Sequence, residues 1–514
     1  MEQTEKRQTI EEFPYRLLML TTLMISGCSM CYELIISAVS SYLVGDSILQ
    51  FSVTIGLYMF AMGIGSYLSK YIRRDLFDWF VFVEIGVGVL GGMSALVLFM
   101  ANIYLESYVV VMHAEIIAIG ILVGIEIPIL TRIIEQNANN LRVTLSTIFC
   151  FDYIGGLVGS LLFPLLLLPS LGYFTTTFLV GSVNLAVAML ILFRYKKYVR
   201  RRGMWQVIAG FFLATMVLGI LGSENIAGHV EDGLYRDKVV LSKQTKYQKI
   251  VVTKHKDDLR LFIDGNVQFC SLDEYRYHEA LVHVPMSVAP EKGRVLILGG
   301  GDGMALREVL KYNQVKHVTM VDLDEEMVEL CRTYEDIKEL NQGSLDSSKL
   351  EVVYEDAYKY LEHSKDIFDI ILVDLPDPNS ESLNKLYTDL FYRLCSNHLT
   401  ENGVMSVQST SPYYAGKAYW CINKTIEKEG FSVLPYHVQV PAFGDWGFQL
   451  ASKKEISVDD ISLQVDTRFL EKEQLKSMFS FAKDEKVDKD KIYANTLARP
   501  QLISYYMEAE RNWQ

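Results

Sequence analysis

The segment Val295-Leu296-Ile297-Leu298-Gly299-Gly300-Gly301-Asp302-Gly303 runs an apolar strand into a glycine turn that carries an acid. Glycines at 299, 301 and 303 let the backbone approach a nucleoside closely, and Ala305 to Tyr312 reads as a helix whose N-terminus faces that ligand. Asp302 then sits beside it. An anion there favours a cationic ligand and repels a carboxylate or phosphate, which argues against a pyrophosphate cofactor. Met304 also replaces the third glycine of a dinucleotide fingerprint, which counts against nicotinamide or flavin chemistry. Further acids close the later strands. Asp322 follows the turn by about 20 residues, where an acid commonly takes ribose hydroxyls. Asp356 is placed to accept an adenine amino group, and Asp374 with Asp377 ends a fourth strand in Val373-Asp374-Leu375-Pro376-Asp377-Pro378. Each acid alone reads more readily as a helix cap or turn residue. Together they line the one crevice that an open α/β sheet offers beyond its carboxyl strand ends, and they suit an adenosyl sulfonium.

The elements that must position these acids follow from pattern. Strands are expected at 294–298, 317–321, 350–354, 368–373, 403–408, 431–438 and 446–451, the last two as an antiparallel closing hairpin, with helices between the earlier ones. A small β-rich lead-in spans 236–290, with strands at 249–253 and 260–264 around a His-Lys-Asp-Asp turn. Residues 456–514 read as a polar, helical extension on which Tyr505 and Tyr506 dock back on the body. Up to about residue 222 the character is different. Apolar runs near 17–42, 48–69, 78–101, 108–131, 145–168, 171–193 and 205–222 each approach the roughly 20 residues that cross a bilayer, so seven spans are expected in a transmembrane domain over 1–222. Lys6, Arg7, Arg16, Lys70, Arg73, Arg74, Arg132, Arg142 and the cluster from Arg194 to Arg202 alternate with turns lacking Lys and Arg, which puts the N-terminus in the cytoplasm. A seventh full crossing would deliver the C-terminal half outside. A cytoplasmic catalytic half is the expectation nonetheless, because its substrates are made there, and it requires 204–222 to be re-entrant or one span miscounted. Glu33, Glu84, Glu115, Glu126 and Asp152 fall inside the spans, as one anionic cavity or as separate helix contacts.

Half of the 514 residues are hydrophobic, and the formal charge of -13 suits cationic ligands while offering no basic stripe for nucleic acid. The seven cysteines lie in apolar segments; even Cys28 and Cys31 read as small packing residues between helices, and no disulfide framework or metal set is expected.

Several ordered motifs carry a resemblance: Tyr247-Gln248-Lys249-Ile250, Ile263-Asp264-Gly265-Asn266-Val267-Gln268, Asp273-Glu274-Tyr275-Arg276-Tyr277-His278-Glu279, the Gly299–Gly303 turn and Asp374-Leu375-Pro376-Asp377-Pro378. Over about 240–452 the chain resembles spermidine synthases, the polyamine aminopropyltransferase family, and its apolar half resembles the membrane-fused bacterial members. The resemblance implies a multi-pass α-helical membrane domain joined to a doubly wound, methyltransferase-like Rossmann domain over 291–455. It implies aminopropyl transfer from decarboxylated S-adenosylmethionine, as co-substrate with no prosthetic group, to putrescine or a related amine, giving spermidine and methylthioadenosine. It also implies a homodimer. Matched by position, Asp374 is the proton acceptor and Tyr277 orients the attacking amine. Gln268, His278, Asp302 and Asp377 contact the polyamine; Gln248, Gly299, Gly301, Asp302, Asp322, Asp356 and Ala357 contact the nucleoside. The family usually has Glu at 322 and Gly at 357. It also closes the site with a Gly-Pro-Ala loop where this chain reads Asn379-Ser380-Glu381, and Phe443 to Phe448 stand at its aromatic wall, with Asp445 as a further amine contact. Two other readings share these residues: a polyamine sensor or transporter whose C-terminal half only binds, and an S-adenosylmethionine-dependent methyltransferase.

Overall fold

The computed structural model describes residues 15–44, 47–105, 108–136, 141–235 and 237–513. Lys6 and Arg7, used for the orientation argument, lie outside them. The chain forms two compact units, Met1–Arg236 and Asp237–Gln514.

The first unit is helical: α1 (Tyr15–Val44), α2 (Ser47–Leu68), α3 (Leu76–Tyr104), α4 (Tyr108–Glu135), α5 (Leu141–Leu162), α6 (Leu168–Arg194), α7 (Arg202–Leu221) and α8 (Ser223–Leu234). Among the described residues six helices are long and apolar enough to cross a membrane, and the spans expected at 145–168 and 171–193 form one of them, a 50-residue run. A π turn at Phe163–Leu167 and the non-helical Gly172 divide that run into two arms. Pairs of helices touch through glycine: a Cβ on Gly124 of α4 would lie 2.1 Å from the Met62 carbonyl of α2. The acids of the expected spans lie on four helices, Glu33 on α1, Glu84 on α3, Glu115 and Glu126 on α4 and Asp152 on α5. Glu84 on α3 is fully buried and accepts from Asn184 Nδ2 of α6 at 3.2 Å, while Glu33, Glu115 and Glu126 are also buried and Asp152 is half-buried.

The second unit opens with a four-stranded antiparallel sheet, β1 (Lys238–Gln244), β2 (Lys249–His255), β3 (Asp258–Ile263) and β4 (Asn266–Cys270), in sequential order. Its outer strands β1 and β4 were not expected. After α9 (Glu274–Val288) come β5 (Arg294–Gly299), α10 (Met304–Leu310), β6 (His317–Asp322), α11 (Glu325–Thr333), α12 (Glu335–Leu340), β7 (Leu350–Tyr354), α13 (Ala357–His363), β8 (Phe368–Asp374), α14 (Glu381–Asn384), α15 (Asp389–Asn397), β9 (Leu399–Gln408), α16 (Gly416–Lys428), β10 (Ser432–Val440) and β11 (Gly444–Ser452). The strand order is β10-β11-β9-β8-β5-β6-β7. β5 to β9 are parallel, and β10 and β11 close the edge as the expected antiparallel hairpin. Alternation sends Val295 and Ile297 into the core with α9 and α10, and Leu296 and Leu298 into the core with α15 and α16.

The helical reading of 456–514 is corrected. Among the described residues only α17 (Lys472–Ser477) and α18 (Gln501–Trp513) are α-helical there. The remaining backbone is held by side chains of the body: Glu279 accepts from the amides of Arg468, Phe469 and Leu470 at 2.6, 3.0 and 3.0 Å. Such contacts substitute for the hydrogen bonds a helix would make internally.

Candidate active site

The strand order reverses direction between β5 and β8, and the crevice at that point is where the acids gather. Gly299, the last residue of β5, pairs in register with Asp374, the last of β8. Its φ is 84°, and a Cβ there would stand 2.0 Å from the Asp374 carbonyl oxygen, so only glycine fits. A Cβ on Gly301 would stand 2.6 Å from Asp322 Oδ2, which puts the β6 acid directly beneath the turn. Asp302 spends Oδ1 on the Met304 amide at 2.8 Å and turns Oδ2 towards His278 Nε2 at 3.8 Å.

The first turn of α9 supplies the facing groups. Tyr277 donates its hydroxyl to Asp374 Oδ1 at 2.6 Å, and its ring packs on Phe448 and Phe443, the latter in contact with Trp446. His278 is 2% exposed; its Nδ1 lies 2.8 Å from Glu274 Oε2, and Arg307 grips both oxygens of Glu274 at 2.9 and 3.0 Å. Burial disfavours the imidazolium, yet Glu274, Asp302 and Asp374 outweigh it and push His278 up to about 9. At Asp374 burial dominates; with Asp302 it raises the carboxyl to about 6 against the pull of His278 and Tyr277. Burial likewise lifts Asp322 to about 6, although the Asp324 amide donates to its Oδ1 at 2.9 Å. Asp377, raised by burial, takes Gln408 Nε2 at 3.2 Å on Oδ1 and the Tyr506 hydroxyl at 3.1 Å on Oδ2. Among the described residues none of Asp302, Asp322, Asp374 and Asp377 pairs with lysine or arginine within 4 Å. Within the described residues, the one cation among these acids is the His278 imidazolium beside Asp302, and the four carboxyl groups outnumber it.

Other expected residues are held differently. Asp356 caps α13 through Oδ1, which accepts from the amides of Tyr358 and Lys359, and Lys385 Nζ sits 2.6 Å from Oδ2. Both oxygens that would meet an adenine amino group are therefore engaged. Buried Ala357 begins the same helix. Gln248 donates to Asp324 Oδ2 at 2.9 Å, two residues past Asp322, and Gln268 donates to Asn266 O at 3.3 Å on its own strand. Asp445 is corrected: strand alternation turns it away from Trp446 and Phe448 on β11, and its Oδ1 lies 2.7 Å from His437 Nδ1 on the opposite face. Sequence reasoning passed over Glu274, Asp324, Lys385 and Gln408. Gln408 had a signal, as a polar residue ending the apolar strand Val404-Met405-Ser406-Val407.

Residues 274–461 match the family model described as spermine/spermidine synthase domain. A polyamine aminopropyltransferase of Leptospira interrogans is 40% identical over 500 residues, covering 96% of this chain and 98% of that protein. Polyamine aminopropyltransferase 2 of Ralstonia nicotianae is 43% identical, again over 96% of this chain and 98% of the relative. Among solved structures, a spermidine synthase in complex with the transition-state analogue AdoDATO is 29% identical, covers 48% of this chain and 85% of its own, and has a TM-score of 0.45.

Proposed function

The chain belongs to the polyamine aminopropyltransferase family, and from that premise we propose that its second unit joins decarboxylated S-adenosylmethionine to putrescine or a closely related diamine with Asp374 as proton acceptor. Aminopropyl transfer to a polyamine acceptor is the activity of this enzyme, and the decarboxylated sulfonium is its co-substrate. The observation that carries the residue assignment is the Tyr277–Asp374 hydrogen bond set opposite Asp302 across the glycine turn.

The chemistry is a displacement. The acceptor nitrogen must shed a proton before its lone pair can form a bond to the carbon attached to sulfur. As that bond forms the carbon–sulfur bond breaks, and sulfur keeps the electron pair as the neutral thioether of methylthioadenosine. Asp374 receives the amine proton. A carboxyl held near 6 is ionised at neutral pH yet more basic than an exposed aspartate, and the Tyr277 hydroxyl fixes which oxygen faces the nitrogen. Asp302 meets the donor's free ammonium and opposes the carboxylate of undecarboxylated S-adenosylmethionine. Asp322 takes the ribose from beneath Gly301, and Asp377 anchors the acceptor's remote ammonium. The helical unit is a multi-pass membrane anchor, and the catalytic unit faces the cytoplasm, where both substrates are made.

Mass spectrometry after incubating the purified full-length protein with decarboxylated S-adenosylmethionine and a panel of amines tests the reading. The expected products are methylthioadenosine and putrescine enlarged by one aminopropyl unit. Methylated amine from the carboxylated donor would replace it with methyl transfer; binding without turnover would replace it with a sensor or transporter. A reporter fused to the C-terminus tests the orientation.

A further inference from the structure

The matched domain ends at 461, yet a residue 45 positions further on reaches the acceptor side of the crevice. Tyr506 of α18 donates its hydroxyl to Asp377 Oδ2 at 3.1 Å. Asp377 receives its other hydrogen bonds from Gln408 and Thr410, so among the described residues its partners are all neutral. A recessed carboxylate held only by neutral donors is oriented without being neutralised, which is the state that favours an incoming ammonium.

The delivery of Tyr506 is built, not incidental. Asn495, fully buried, donates from Nδ2 to Asn384 Oδ1 at 2.9 Å and to the Tyr387 carbonyl at 3.0 Å, and its own carbonyl accepts from the Asp389 amide at 3.1 Å. Its Oδ1 accepts from the Leu502 amide at 3.3 Å, one turn before Tyr506. Tyr387 in turn donates to the Pro376 carbonyl at 3.0 Å and accepts from Gln408 Nε2 at 2.8 Å. The C-terminal segment is thereby pinned to the stretch that follows Asp377 and to the amide that holds its other oxygen.

We propose that Tyr506 is a positioning residue, fixing the Asp377 carboxylate for the acceptor's remote ammonium, so that the C-terminal helix sets acceptor affinity. The inference rests on reading Asp377 as the acceptor anchor. Steady-state kinetics of full-length wild type, Tyr506→Phe, Asp377→Asn and the double variant test it, with putrescine and decarboxylated S-adenosylmethionine varied in turn. Tyr506→Phe is expected to raise KM for putrescine by about tenfold, leave kcat within about twofold and leave KM for the donor unchanged. In the Asp377→Asn background the same change is expected to do nothing further. Tyr505→Phe, on the same helix, serves as the control that changes neither KM. An unchanged putrescine KM in Tyr506→Phe, or an equal further loss on top of Asp377→Asn, would overturn the positioning role. If Asp377→Asn alone leaves putrescine KM intact, the anchor assignment fails instead, and if wild type yields no aminopropyl product the functional reading fails before either.

Discussion

Replacing Asp374 by Asn sets catalysis against stability. The carboxyl titrates near 6 in the folded protein and near 3.9 in an unfolded chain, because burial and Asp302 disfavour its charge more than His278 and Tyr277 favour it. That difference of about 2 units corresponds to at most about 3 kcal/mol of stability forgone when the group ionises. The sign follows from linkage: between about pH 4 and 6 the folded state holds a proton that the unfolded state has released, so wild type weakens as pH rises through that window and is weakest above it. Asparagine keeps an oxygen to accept the Tyr277 hydroxyl and carries no charge. Asp374→Asn should therefore melt above wild type at about pH 8, by up to about 10 °C for a unit of this size, and the gap should close by about pH 4. Turnover should fall by about 10²- to 10⁴-fold, the usual contribution of a positioned base. Differential scanning fluorimetry across the pH range, paired with product quantification, reads both. A melting difference of the same size at every pH, or retained turnover, would refute the account of Asp374 as a buried, ionised base.

Removing the Tyr277 hydroxyl with Tyr277→Phe takes away one of the two influences that lower the Asp374 pKa, so the acidic limb of kcat/KM should move to higher pH, measurable as a pH–rate profile. Asp302→Asn should narrow the preference for the decarboxylated over the carboxylated donor by at least about tenfold, one lost charge contact of about 1.4 kcal/mol, as read by competition between the two. Gly299→Ala forces a Cβ to within 2.0 Å of the Asp374 carbonyl at a φ of 84°. The β5–β8 junction must shift, and melting together with donor titration should show a destabilised unit with little donor binding.

The parallel strands were legible because they are long apolar runs closed by glycine or aspartate, and β5, β6, β7 and β8 lie where the pattern puts them. So was the edge hairpin. β1 was not: its residues alternate between exposed and half-buried with none fully buried, so no hydrophobic periodicity marks it. The C-terminal segment was misread for the opposite reason. Its lysines and glutamates favour helix locally, but Phe469, Leu470, Leu475, Met478 and Ile492 dock on the body at spacings no single helix provides. In the crevice, residue type and strand position indicated the acids, whereas their partners come from far along the chain. Lys385 on Asp356, 29 residues away, and Tyr506 on Asp377, 129 away, leave no local trace. Asp445 was legible in principle, since counting by twos from Phe448 already turns it from the aromatic wall.

The edge hairpin ties two tasks of this enzyme together. In the proposed reading the groups that meet the sulfonium nucleoside lie at or just past the ends of parallel strands buried on both faces, where a change in one residue disturbs the register of its neighbours. Phe443 lies in the turn of the border hairpin and Phe448 on its β11 strand, and both touch the Tyr277 ring, so a change in either reaches the residue that holds Asp374. A substitution in that rim meant to suit a different amine is therefore expected to disturb the proton-accepting pair as well, so acceptor choice and turnover are adjusted through the same rings.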